Sequence, residues 1–194
     1  SYYDDFGKYE RKIDPQLLKN TLDAVVVQTG KKFVFSHVMG GYRPEEVRRA
    51  LSMLTDAGLI KPIKHTAANG IPLGAEINDK FIKYQFLDSG LLLQILDLNF
   101  GGISQVTSDI LTSSATDLVN KGGLAELIAG WEMVKSANAS SRPELYYWEN
   151  LSRGSTAEVD FVITHAMNIL PIEVNSGTSG KMKSLRLFIE RKNL

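Results

Sequence analysis

The chain has 194 residues, 43% of them hydrophobic, with 22 Lys+Arg against 22 Asp+Glu and a formal net charge of zero. That length supports one large or two small domains with real cores, and the neutral balance removes any global attraction to nucleic acid or acidic membrane, so such binding needs a local patch. With no cysteine, disulfides and thiolate metal sites are excluded, and the lack of a membrane-length apolar run or signal peptide reads with it as a cytoplasmic protein without a membrane partner.

The chain starts at Ser1 rather than Met and reads as a fragment, with Ser1 to Arg11 an aromatic, charged lead-in of no clear period. Asp14-Pro15 reads as a helix start, Asp capping and Pro at the first helical position. Leu17, Leu18, Leu22 and Val25 follow at helical spacing toward Gly30. A short helix is expected over Ser36 to Met39, stopped by Gly40-Gly41. A third runs from Pro44 to Asp56 with Val47, Ala50, Leu51 and Leu54 as its apolar stripe and Gly58 beyond its end. Strands at Leu59 to Lys64 and Lys80 to Phe86, with an Asn69-Gly70 turn between, complete a helix-turn-helix with a β wing, which resembles a winged helix. Its third helix is the recognition element if DNA is bound. The candidate nucleic-acid contacts are Arg48 and Arg49 on that helix and Lys61 and Lys64 on the wing, where His65, Lys80 and Lys83 add charge; Glu45, Glu46 and Asp56 offset the helix arginines. The other use of a winged helix is to pack against a neighbouring domain.

Asp88 or Ser89 caps an expected helix over Leu91 to Leu98, and Gly101 to Lys121 reads as a mobile connection with a short helix at Val106 to Leu111. Leu124 to Val134 is an amphipathic helix whose stripe is Leu124, Leu127, Ile128, Trp131 and Val134. Glu126 lies off the stripe and by itself reads as a solvated residue. After a loop from Asn138 to Pro143, strands are expected at Glu144 to Trp148, Ala157 to Ile163 and Ile169 to Gly177, the last two joined by Thr164 to Asn168. Alternation puts Glu158 and Asp160 on one face of their strand, and Glu173 and Asn175 on one face of the next. Carboxylates inside strands this apolar are costly without a neutraliser, commonly a divalent cation held by oxygen. Leu185, Phe188 and Ile189 give the tail, Met182 to Lys192, a face to pack on the sheet.

Ala157-Glu158-Val159-Asp160-Phe161, followed by Pro171-Ile172-Glu173-Val174-Asn175-Ser176-Gly177, resembles the PD-(D/E)xK nuclease signature as it stands in the C-terminal region of prokaryotic AAA-type ATPases. Leu87-Asp88-Ser89-Gly90-Leu91-Leu92 matches the junction between winged helix and nuclease-like domain in those proteins. The resemblance implies an α/β (α+β) chain: a winged helix over 1–90, a connection over 91–121, and over 122–194 a restriction-endonuclease-like mixed sheet flanked by helices. Such a domain normally continues past the last helix with another strand, so the chain reads as cut short there. The resemblance further implies Asp160 and Glu173 as ligands of magnesium or manganese, with Glu126 completing the shell. Asn175 stands where the family has Lys, so the candidate catalytic set Asp160, Glu173 and Asn175 reads as degenerate, because a neutral amide supplies no fixed cation to phosphate chemistry.

No Gly-x-x-x-x-Gly-Lys-Ser/Thr loop is present, so ATP binding is expected only in an upstream ATPase domain. His37, His65 and His165 are scattered and form no metal pair or catalytic triad. The leading expectation is a non-catalytic, regulatory region that couples an ATPase to DNA or a protein partner. Its competitors are a divalent-metal nuclease and a protein-interaction or oligomerisation module.

Overall fold

A computed structural model describes residues 13–88, 121–136, 143–175 and 182–194. The expected lead-in at 1–11, the helices at 91–98 and 106–111, and most of the loop at 138–143 lie outside the described residues.

Helix α1 spans Pro15–Val27, and its start is closed by Asp14, whose Oδ1 accepts the Gln16 N–H at 2.9 Å. A single 3₁₀ turn, Phe35–His37, follows. Helix α2 spans Pro44–Asp56, with Pro at its first position, and Glu46 Oε2 reaches back to accept the Arg43 N–H at 2.9 Å. Strands β1 (Ile60–Thr66) and β2 (Ile77–Phe86) are antiparallel. Helix α3 spans Lys121–Ser136 and begins earlier than its apolar stripe predicts, taking Gly122 and Gly123 into its first turn. Strands β3 (Leu145–Glu149), β4 (Glu158–His165) and β5 (Asn168–Ile172) precede helix α4 (Lys183–Lys192).

The fold class is α+β: among the described residues, four helices and one open, mixed five-stranded sheet in the order β2-β1-β3-β4-β5. Strand β1, expected as part of a wing, pairs in parallel with β3, Ile63 opposite Leu145, Lys64 opposite Tyr146 and His65 opposite Tyr147. The sheet therefore runs across the expected boundaries at 90 and 122, and so does the core. The cluster that holds α1 to α2 through Leu18, Leu22, Val47, Leu51 and Leu54 also takes Leu124, Leu127 and Ile128 from α3. The Trp131 indole N–H then donates to the Phe86 carbonyl, tying α3 to the end of β2. On one sheet face Ile63, Leu145, Tyr147 and Phe161 pack under α3; on the other Trp148, Val159 and Val162 pack against Phe188 of α4.

Three local details differ from the sequence expectation. The connection after β4 is a two-residue turn, not the five-residue stretch Thr164 to Asn168. His165 pairs with Asn168, and Ala166 and Met167 both carry positive φ, 45° and 64°. That backbone suits the right-handed twist of a hairpin but lacks the Asn-Gly signal that normally announces it. In β4, Trp148 faces Val159 while Tyr146 faces Val162, so Asp160 and Phe161 together oppose the single residue Tyr147. This bulge breaks the alternation and brings a buried Phe and an acidic side chain to the α3 face side by side. Finally, β5 ends at Ile172, so Glu173 and Asn175 lie beyond the strand rather than on one of its faces. The Val174 N–H donates to Asp160 Oδ2 at 2.8 Å, so a carboxylate takes the place of a neighbouring strand's carbonyl and the ladder stops.

Among the described residues no helix is long and apolar enough to cross a membrane. Leu51, 1% exposed within the α1–α2 core, is a direct check on that packing: Leu51→Ala is expected to lower the unfolding free energy by about 2–5 kcal/mol, read from urea denaturation.

Candidate functional site

Strand β2 alternates Phe81, Lys83 and Gln85 on one face with Ile82, Tyr84 and Phe86 on the other. In a wing with one wet face, Lys83 points into solvent. Here α3 lies against that face, and the lysine side chain keeps 1% of its exposure. Its ammonium donates to Glu126 Oε1 of α3 at 2.8 Å and to Glu158 Oε1 of β4 at 2.5 Å, and it stands 5.0 Å from the centre of the Tyr147 ring. Burial alone lowers a lysine pKa, but the two carboxylates outweigh it and raise the Lys83 value, so the group stays charged.

Further carboxylates crowd the same place. Asp160 is pushed up by burial, against the downward pull of the Val174 N–H and of Lys83. Glu126 is pushed up to about 7, first by burial, with Asp160 and Glu158 adding repulsion that Lys83 does not cancel. Glu173 is also pushed up to about 7, by burial and then by Asp160 and Glu158. Its Oε2 is buried without a hydrogen-bond partner among the described residues. One lysine thus faces four carboxylates, and the surplus negative charge is relieved by holding protons near neutrality.

The approach of α3 depends on Gly30. Its φ is +76°, and a Cβ there meets Gly123 Cα at 2.7 Å and Glu126 Oε2 at 3.1 Å. Only glycine lets this loop come close enough for Glu126 to reach Lys83.

The structure brings Glu126, Asp160 and Glu173 into one charged cluster and leaves Asn175 exposed outside it. Glu126 is 7% exposed, which overturns its reading as a solvated helix residue, because α3 is covered by the sheet where its own stripe predicts water. The oxygen donors are of the kind a hard divalent cation takes, but Glu126 and Glu158 each already bind Lys83 through one oxygen. Among the described residues no three acidic or histidine side chains converge to hold one ion.

The basic wing is not a free patch. Lys64 is paired with Glu144 at 2.8 Å, Lys83 and His65 are buried, and Lys61 also has an interaction of its own. The wing's face is occupied because β1 sits inside the sheet, where its long side chains meet β3 and its flanks. On α2, Arg48 and Arg49 are exposed; Arg48 lies over the Phe35 ring at 4.6 Å, and Arg49 has an interaction of its own. Sequence reasoning missed Lys83 as a site residue, together with Lys32 and Glu149, which pair at 2.7 Å beside it. Alternation alone assigns Lys83 to solvent, and the one available signal was the surplus of acidic residues in apolar strands with no cation beside them in sequence.

The family model described as Domain of unknown function (DUF8612) matches residues 1–100. The chain belongs to this family. A second model, Domain of unknown function (DUF4143), matches residues 121–194, a region that is commonly the C-terminal part of AAA-type ATPases. No curated protein and no solved structure matches the chain. In this DUF8612 member, Lys83 falls within the first matched stretch, and Glu126, Glu158, Asp160 and Glu173 within the second.

Removal of the ammonium leaves buried carboxylates with no partner, so Lys83→Met is expected to cost about 3–5 kcal/mol of stability in urea denaturation. Glu126 and Glu173 move from an ordinary 4.5 to about 7 on folding, so the folded chain holds protons that the unfolded chain releases. Stability is therefore expected to fall as pH rises from about 4.5 to about 7 and to level above it. Urea midpoints across that range check the sign, and Glu173→Gln is expected to flatten the slope.

Proposed function

We propose that this chain is a non-catalytic, regulatory region of an AAA-type ATP-binding protein, built on a degenerate nuclease-like fold whose acidic cluster is neutralised from within. The observation that carries this reading is the Lys83 ammonium, buried and bonded to Glu126 and Glu158. A fixed lysine that satisfies two carboxylates supplies the positive charge that a divalent ion otherwise brings, and it cannot dissociate. Asn175 supports the same reading, since it offers no cation to a phosphate and is exposed away from the cluster. The match of residues 121–194 to a region common at the C-terminus of AAA-type ATPases supports the link to an upstream ATPase. In this reading ATP is bound by that upstream domain, and the present chain works by contact with a partner. Arg48 and Arg49 on the exposed face of α2 are its candidate contacts with DNA.

The competing reading is a magnesium- or manganese-dependent nuclease, favoured by one observation: Glu173 keeps a buried, unpartnered oxygen beside Asp160. Calorimetry with magnesium and manganese, on the chain and on Asp160→Ala, followed by a DNA cleavage assay on the same samples, separates the two. The regulatory reading expects no Asp160-dependent heat and no cleavage; metal-dependent cleavage that Asp160→Ala abolishes replaces it with the nuclease. DNA binding through α2 has its own check, a titration at two salt concentrations. Arg48→Ala with Arg49→Ala is expected to weaken binding and to reduce its salt slope by about 2, one for each phosphate left without its arginine.

A further inference from the structure

Two like-charged pairs face each other at the join between the two matched stretches. Lys32 and Lys83 are partners in an antiparallel bridge at the outer edge of β2, where the Phe33 N–H also donates to the Ile82 carbonyl at 2.9 Å. Glu149 of β3 and Glu158 of β4 are register partners in the sheet. Like charges set directly opposite on adjoining strands destabilise a sheet, so each pair is unfavourable on its own. Each lysine takes one glutamate: Lys32 Nζ lies 2.7 Å from Glu149 Oε1, and Lys83 Nζ lies 2.5 Å from Glu158 Oε1. Aromatic rings hold both cations in place, Phe81 under Lys32 at 5.2 Å and Tyr147 under Lys83 at 5.0 Å. Glu126 from α3 adds a third carboxylate to the Lys83 end, and the His65 ring nitrogen meets the Glu149 carbonyl at 3.3 Å on the Lys32 end.

We propose that this quartet is a recognition latch: the acidic strand pair Glu149 and Glu158 is a docking surface for two lysines set side by side on adjoining extended segments, and residues 13–88 are the partner it fits. The latch explains why a stretch matched by one family closes the sheet of a stretch matched by another. The hydrophobic contacts between α3 and the α1–α2 core favour association in many arrangements. The four charges favour one register, because a slip of a single residue on either side turns each charge away from its partner and, at Lys83, leaves a buried ammonium unpaired. The latch shares the Lys83–Glu158 contact with the regulatory reading, but its Lys32–Glu149 arm is separate from it, since metal binding or DNA cleavage by the Asp160 cluster leaves that pair unchanged.

The test uses the whole chain. Both tryptophans, Trp131 and Trp148, lie in the second half, so their fluorescence reports that half during urea unfolding. Hydrogen exchange of peptides from α2, followed by mass spectrometry at each urea concentration, reports the first. In the unaltered chain the two probes are expected to share one midpoint. In Lys83→Met the fluorescence midpoint is expected to fall by about 1 M urea or more, in Lys32→Met by a smaller amount, and in both to separate from that of α2. Lys64→Met, which breaks the more exposed pair with Glu144, serves as the control and is expected to leave the probes together. Lys32→Met combined with Glu149→Leu is expected to shift the midpoint by clearly less than the sum of the two single shifts. Additive shifts, or probes that stay together in the lysine variants, overturn the latch. Lys32 keeps 39% of its side-chain exposure, so its arm of the test decides the matter where Lys83→Met does not fold.

Discussion

Taking an ammonium out of water costs several kcal/mol, and a protein meets that cost only by surrounding the charge with acceptors in good geometry. Lys83 meets this condition with Glu126 and Glu158, one from a helix and one from a strand that lies three places away in the sheet. Neither carboxylate is local in sequence. The ion pair therefore demands that β2, α3 and β4 be in place together, and much of the fold is arranged around that demand.

Several backbone features serve it. Gly30 and Gly123 allow the close approach that lets the α3 end carrying Glu126 settle beside β2. The bulge at Asp160–Phe161 keeps a large apolar side chain and a carboxylate on the same face, so the cluster sits against a dry core formed by Ile63, Leu145, Tyr147 and Phe161. That dryness strengthens the attraction between Lys83 and its partners and raises the proton affinity of the carboxylates that lack one.

The same internal pairing shapes what the molecule offers to others. Two charges of the expected basic wing, and Lys32 beside them, are paired within the chain: Lys64 with Glu144 at the surface, Lys32 with Glu149, and Lys83 with Glu126 and Glu158. What stays outward here is the arginine pair on α2, flanked by Glu45 and Glu46, and Lys80 of β2. A chain of zero formal net charge has little long-range pull on polyanions, and any recognition rests on short-range fit.

The sequence by itself determined the local elements. Asp14-Pro15 and Pro44 mark two helix starts that the structure keeps, and the stripes Leu17–Val25 and Val47–Leu54 are the faces that become buried. Caps and periodicity are read within a few residues, and nothing distant overrode them. The acidic residues were legible in part, because Glu126 and Glu173, singled out in the sequence, each lie near enough to Asp160 to feel its charge, although no three of the described side chains converge on one ion. Only the tertiary structure decided that β1 joins β3, that α3 closes over the wing, and that Lys83 is the cation among those carboxylates. Strand alternation records two faces but not what covers each. Which face of β2 is wet was settled by a helix from residues 121–136, beyond the reach of any local pattern.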